Sequence, residues 1–283
     1  MLTLFMFACT PTGSSQDIDV PVTSLAFGPE GHLYLTSNET GAVYRVRNGE
    51  TTASTQAWTR PFGIATLGEQ ICVSRYSDEA PLRRETLVSC YDGQNWQTAV
   101  RGVGQGINGL AAGPRGLWLA AWQDTPIESR DGLVVYVDVT NGASEIVRRV
   151  SLPANVPQFV AVAPDGTVFV SAWREDASGI RGGTLFRLAT DGSVSELDTA
   201  LTRPSGLAYA EGDGLWVADY ATGELWLLAE SSLDDASPTA TQPFQTEKEV
   251  LGLAYDGSNL CAAHSRGFNC FDVAATNTQQ QER

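Results

Sequence analysis

The sequence predicts an all-β fold, a six-bladed β-propeller with four antiparallel strands per blade, and three observations predict it. A short segment recurs six times: a small residue, an apolar strand, a glycine-containing turn and a second apolar strand. The copies begin at residues 24, 63, 109, 159, 206 and 252, at intervals of 39, 46, 50, 47 and 46 residues. Each copy continues into a third strand centred on one aromatic residue, Tyr44, Tyr91, Tyr136, Phe186, Trp226 or Phe271. Four short strands at this period are the mark of propeller blades, and no 3.6-residue periodicity competes with them.

The elements follow in order. Blade one opens with Ser24-Leu25-Ala26-Phe27 and Leu33-Tyr34-Leu35-Thr36, blade two with Gly63-Ile64-Ala65 and Ile71-Cys72-Val73-Ser74. Blade three has Gly109-Leu110-Ala111 and Leu117-Trp118-Leu119-Ala120, blade four Phe159-Val160-Ala161 and Val168-Phe169-Val170-Ser171. Blade five has Gly206-Leu207-Ala208 and Leu215-Trp216-Val217-Ala218, blade six Gly252-Leu253-Ala254 and Leu260-Cys261-Ala262-Ala263. Inner strands are small and apolar because six of them converge on one axis. The bulky column of Tyr34, Trp118, Phe169 and Trp216 fills the gaps between blades. Most copies add a more polar fourth segment, such as Ser144-Glu145-Ile146-Val147. Blade six runs out after Phe271-Asp272-Val273-Ala274, so Asp17-Ile18-Asp19-Val20 is expected to supply its outer strand and remove the free edge.

Composition sets the outer bounds. With 283 residues and 42% hydrophobic content the chain has ample material for one large β-domain, expected over residues 20–275 with a polar tail at 276–283. Its 18 Lys and Arg stand against 33 Asp and Glu, for a net charge of −15. Arg83-Arg84 and Arg148-Arg149 are short pairs in mixed surroundings, so no basic surface for nucleic acid is expected. There is no apolar run long enough to cross a membrane as a helix. The N-terminus, Met1-Leu2-Thr3-Leu4-Phe5-Met6-Phe7-Ala8-Cys9, is apolar and ends in a small residue and a cysteine, followed by a polar tether over 10–19. Met6-Phe7-Ala8-Cys9 resembles the lipobox of bacterial lipoproteins, which implies acylation at Cys9, a membrane anchor and a place in the cell envelope, in the outer membrane or periplasm; it departs from that family in lacking a basic n-region, and a secreted protein without the anchor or a buried N-terminal strand are the alternatives. A monomer is expected.

The other four cysteines fall into columns. Cys72 and Cys261 occupy the same place on the second strands of blades two and six; Cys90 and Cys270 each precede the third-strand aromatic of the same blades. Antiparallel neighbours bring such residues within disulfide reach, so Cys72–Cys90 and Cys261–Cys270 are the expected pairs, with four buried thiols as the alternative. Disulfides imply an oxidising compartment.

The phrase Arg203-Pro204-Ser205-Gly206-Leu207-Ala208, followed by Leu215-Trp216-Val217-Ala218-Asp219 and echoed in Arg60-Pro61-Phe62-Gly63, resembles the six-bladed NHL-repeat and gluconolactonase/regucalcin-like proteins. The resemblance implies the fold over residues 20–275. It also implies an axial divalent cation, calcium included, held by a Glu from blade one and by Asn and Asp where inner strands begin. The six residues in that column here are Thr23, Phe62, Asn108, Gln158, Ser205 and Leu251. None is a carboxylate, and hard cations call for several oxygen ligands, usually some of them charged. No cofactor is therefore expected, and Asn108, Gln158 and Asp219 are the weak metal candidates that remain.

Ligand chemistry is expected on the face where inner strands begin. There the loops of blades two, three and four are long, over 76–85, 122–131 and 173–181, and binding groups concentrate on such loops. Thr23, Arg75, Asn108, Trp122, Gln158, Trp173 and Ser205 are the candidate ligand-binding residues, with Trp122 and Trp173 at equivalent positions. One column deeper lie Asp219 and His264, in adjacent blades, as candidates for an acid–base pair; a structural role for Asp219 is the alternative. His32 lies in a turn on the opposite face, and no Gly-x-Ser-x-Gly elbow is present. The principal expectation is an extracytoplasmic, lipid-anchored propeller that binds a polar small molecule or a protein. The alternative is a metal-dependent hydrolase, lactonase- or esterase-like, with its site on the axis.

Overall fold

Each of the six copies forms one antiparallel sheet whose middle strands are buried on both faces, β11 and β19 almost throughout. In the computed structural model, which describes residues 14–16, 18, 20–54, 56–77, 85–123, 132–139, 144–154 and 156–273, the described residues form six sheets of four strands. Blade one holds β2 (Ser24–Phe27), β3 (Leu33–Ser37), β4 (Ala42–Arg47) and β5 (Glu50–Ala53). Blade two holds β6 (Ile64–Leu67), β7 (Gln70–Tyr76), β8 (Thr86–Tyr91) and β9 (Trp96–Val100). Blade three holds β10 (Gly106–Ala112), β11 (Gly116–Trp122), β12 (Gly132–Asp138) and β13 (Glu145–Leu152). Blade four holds β14 (Val156–Val162), β15 (Val168–Asp176), β16 (Gly179–Leu188) and β17 (Val194–Leu197). Blade five holds β18 (Pro204–Ala210), β19 (Gly214–Asp219), β20 (Glu224–Ala229) and β21 (Ala240–Gln245). Blade six holds β22 (Leu253–Tyr255), β23 (Asn259–His264) and β24 (Gly267–Asp272), and is completed by β1 (Ser14–Gln16).

The ring closes by pairing the first strand with the last. β1 runs antiparallel to β24, with Ser14 opposite Cys270 and Gln16 opposite Phe268. The clasp lies just ahead of the expected 17–20, and the reason is distance: after β1 the chain must travel from the rim to the hub. Ile18 and Val22 use that path to pack into the apolar layer between blades six and one, and Val22 N–H reaches the His264 carbonyl at 3.1 Å. Cys9 and the segment 1–13 lie outside the described residues, as does the tail 274–283.

Between successive blades sit six apolar layers. The largest fully buried side chains include Trp216, Phe169 and Phe186, two of them from the bulky second-strand column and one from the third-strand aromatic column. At the hub the layers thin to nothing and backbones touch. A Cβ on Gly109 would stand 2.6 Å from the Gln158 carbonyl oxygen and from the Phe159 Cα, and one on Gly206 would stand 2.6 Å from Gly252 C and Leu253 N. Gly63 and Gly252 meet the next blade in the same way. Glycine therefore recurs at the opening of the inner strands because the next blade leaves no room for a side chain.

Both expected disulfides are present. Cys72 and Cys90 are direct cross-strand partners on β7 and β8, and Cys261 and Cys270 on β23 and β24. Their Cα atoms are 4.0 and 4.1 Å apart. On the opposite face the Asp-Gly turns are structural, as expected. Asp256 Oδ1 accepts the amides of Ser258 and Asn259 at 2.9 and 2.6 Å, and Gly257 takes φ 98°.

Two outcomes follow for stability. Gly109→Ala forces a methyl into the backbone of blade four and is expected to cost about 1–3 kcal/mol or more, read as a lowered denaturant midpoint. Replacing Cys72 and Cys90 together with serine opens an 18-residue loop and is expected to cost about 3 kcal/mol, whereas reductant added to the double variant acts only through Cys261–Cys270.

Candidate functional site

Asn108, Gln158 and Ser205 of the axial column owe their positions to irregularities in the inner strands. Register shifts between Ile107 and Gly109 in β10, between Pro157 and Phe159 in β14, and between Pro204 and Leu207 in β18. Asn108 and Gln158 are the extra residues of these bulges, and Ser205 lies within the third. A bulge turns its extra residue out of the pleat and re-aims its side chain. Proline directly before Gln158 and Ser205 was the available signal, since strand prolines concentrate at bulges and edges.

Their polar atoms are committed to the fold. Asn108 Nδ2 donates to the Pro157 carbonyl at 2.7 Å, joining blade three to blade four. Gln158 Nε2 donates to Val156 O at 3.2 Å. Ser205 Oγ, fully buried, bonds Val250 O at 2.6 Å and Ala218 O at 3.2 Å, joining blades five and six. Thr23 Oγ1 accepts the Asn38 amide at 3.1 Å. From the neighbouring column, Thr36 Oγ1 donates to Phe62 O and Ser171 Oγ to Ser205 O, each at 2.5 Å. Hydroxyls and amides thus stitch blade to blade around the hub.

Calcium of the kind the resemblance implies does not fit this donor set. The column carries no carboxylate, and the Ser205 hydroxyl turns to two carbonyls of its own chain. What remains of Asn108 and Gln158 is a neutral amide oxygen each. Among the described residues no group of three or more His, Cys, Asp or Glu is disposed to hold a metal.

The second column holds Asp219 and His264, both buried, and each is engaged elsewhere. Asp219 Oδ2 accepts the amides of Thr202 and Arg203 at 2.6 and 3.2 Å; Oδ1 accepts those of Ala221 and Thr222 at 2.9 and 3.3 Å. The carboxylate therefore ties the chain entering β18 to the turn after β19. The Arg266 amide donates to His264 Nδ1 at 3.2 Å, which assigns the proton to Nε2; that nitrogen bonds Asn269 Oδ1 at 2.5 Å. Each side chain is bonded within its own blade, not across to the other.

Toward the loops the candidates separate. Arg75 Nε donates to Ser89 Oγ at 3.1 Å and its guanidinium lies 5.5 Å from the centre of the Trp58 ring. Trp122, half-buried, covers Gly106, where a Cβ would come within 2.0 Å of the indole. Trp173 is buried: its indole N–H donates to Pro204 O at 2.8 Å, and its ring meets Tyr220 edge-on at 5.1 Å. Burial, with the Glu249 carboxylate adding to it, raises the Tyr220 hydroxyl above its ordinary range. Trp173 thus braces blade four against blade five. The connection expected as a loop at 173–181 is a continuing hairpin, with Asp176 paired to Gly179 and an Arg181–Asp176 ion pair at 2.8 Å across its tip. Residues 78–84 and 124–131 of the other two long connections lie outside the described residues.

No protein-family model and no curated protein matches the chain. Solved structures do. A gluconolactonase from Xanthomonas campestris superposes with a TM-score of 0.69 at 13% identity, over 94% of this chain and 95% of that one. The PQQ-bound aldose sugar dehydrogenase from Streptomyces coelicolor gives 0.64 at 17% identity, over 94% and 96%. A catalytically inactive virginiamycin B lyase from Staphylococcus aureus, bound to quinupristin, gives 0.59 at 12% identity, over 92% and 97%. At such identities the likeness is one of fold.

Asp219→Ala leaves four amides without their acceptor and is expected to lower stability by about 3 kcal/mol, against about 1 kcal/mol for Ser205→Ala; urea denaturation of the two variants checks the order.

Proposed function

We propose that the chain is an extracytoplasmic, lipid-anchored β-propeller that binds a polar small molecule or a protein through the face carrying the long connections of blades two to four. One observation carries this: the axial column is uncharged, and its hydroxyl and amide groups bond neighbouring carbonyls. A hub built in this way offers hydrogen-bonding amide oxygens at its floor. It lacks the charged ligands that metal-assisted hydrolysis requires. Asn108 and Gln158 would contribute that floor, and Trp122 and Arg75 part of the wall. Thr23, Ser205 and Trp173 hold the scaffold. Two disulfides support an oxidising compartment, and the anchor rests on Met6-Phe7-Ala8-Cys9.

The test is a thermal-shift screen of polar metabolites and envelope proteins, run beside a panel of lactones and esters with added calcium. A ligand present at a hundredfold its Kd adds about 2.7 kcal/mol to stability, a rise in Tm of about 5–10 °C for a chain of this size. That rise is expected to shrink in Trp122→Ala. Calcium-dependent turnover that is abolished by Asn108→Ala or Gln158→Ala would replace the proposal with the hydrolase reading.

A further inference from the structure

We propose that the cleft between blades one and two, on the outer flank of the propeller and away from the axial column, is a second binding site whose ligand is a saccharide. The cleft encloses about 510 Å³, within the range of about 300–1,000 Å³ typical of small-molecule sites.

The cleft exists because blade one is the shortest repeat and its outer strand β5 has only four residues, all exposed. Blades splay as they leave the hub, so every flank needs filling. Between blades three and four Arg148 lies over Trp118 at 5.8 Å. Between five and six Phe244 packs on Phe271 at 4.7 Å; between four and five a smaller cleft of about 280 Å³ remains, lined by Leu233 together with Asp165, Glu211, Glu230 and Asp234. Between one and two the outer strand and the residue that follows it present Thr52, Ala53 and Ser54 to the gap, side chains too short to close it.

Its walls have the chemistry of sugar recognition. Tyr34 and Tyr44 of blade one face Tyr91 and Trp96 of blade two across the gap. Tyr91 and Trp96 sit 5.0 Å apart, and Trp96 is braced edge-on by the buried Trp58 at 4.4 Å. Fixed aromatic faces suit the apolar C–H face of a pyranose at low entropic cost. The rim of hydroxyls on the same ring needs groups that both donate and accept. Side-chain amides do both, and Gln94 and Asn95 stand at the mouth. Their turn is held open by Asp92, whose carboxylate accepts the Gln94 and Asn95 amides at 2.8 and 2.7 Å. Those bonds keep the Asp92 carboxyl below its ordinary range.

Charge narrows the ligand further. Among the described residues that line the cleft, Arg45 is the one charged side chain; the nearby Asp92 carboxylate is engaged by the backbone amides of Gln94 and Asn95. This lining favours a hydroxyl-rich molecule that is neutral or carries an isolated carboxylate. The site lies away from the axial face, so it stands or falls independently of the ligand proposed there.

The probe is an array of defined oligosaccharides of glucose, mannose, xylose, N-acetylglucosamine and galacturonic acid, with calorimetry and tryptophan fluorescence on every hit. At least one is expected to bind with a Kd below about 1 mM and to change the tryptophan emission. The double variant Gln94→Ala/Asn95→Ala, on an exposed turn, is expected to weaken binding at least about tenfold with Tm unchanged, and Trp96→Ala to abolish it. Binding of galacturonate alone, lost in Arg45→Ala, would mark an acidic sugar within the same proposal. No binding by any member of the array, binding indifferent to the turn variant, or capture of peptides only, would overturn it.

Discussion

Everything in this molecule depends on backbone meeting backbone around the axis. Gly63, Gly109, Gly206 and Gly252 open four of the six inner strands, and each has the next blade's main chain within 3 Å of where a Cβ would stand. That approach fixes the angle between blades. It also decides where side chains have room: none at these glycines, large aromatics at the second and third strands, and open grooves at the rim. The hydroxyls and amides beside the glycines then bond across the joints, from Thr36 to Phe62, Asn108 to Pro157, Ser171 to Ser205 and Ser205 to Val250. Burial of these groups without partners would be costly, and the neighbouring carbonyls remove that cost.

The same commitment determines what the hub can do. A side chain that donates to a structural carbonyl is fixed in place and is a poor candidate to move with a substrate. Asp219 and His264 are committed in a different way: the first accepts four backbone amides, and the second accepts one and bonds the Asn269 carboxamide. The ligand chemistry we propose therefore lies away from these committed groups, in keeping with propellers as rigid platforms whose function resides in grafted sites.

Much of this was legible in the sequence. The blade count and the third-strand aromatics follow from the repeat period and the recurring short apolar strands, which depend on local spacing alone. The disulfides followed because equal columns on antiparallel neighbours meet wherever the sheet forms. The departures have a common cause. Bulges at Asn108 and Gln158, the clasp at Ser14–Gln16, the brace made by Trp173 and the cleft under Trp96 are all set by how one blade sits against the next. Such contacts join residues tens of positions apart and leave little local trace. Trp173 and Trp122 look equivalent by position, yet Trp173 is buried with its indole N–H on the Pro204 carbonyl of blade five, whereas Trp122 is half-buried over Gly106.

We propose that the hub is a structural joint whose donors are spent on neighbouring carbonyls. A crystal structure grown with calcium in excess, with anomalous scattering recorded at the axis, tests this directly. No ordered cation is expected there, with Ser205 Oγ still on the Val250 carbonyl and Asn108 Nδ2 still on Pro157. A fully occupied ion ligated by Asn108 and Gln158, with those bonds broken, would contradict it.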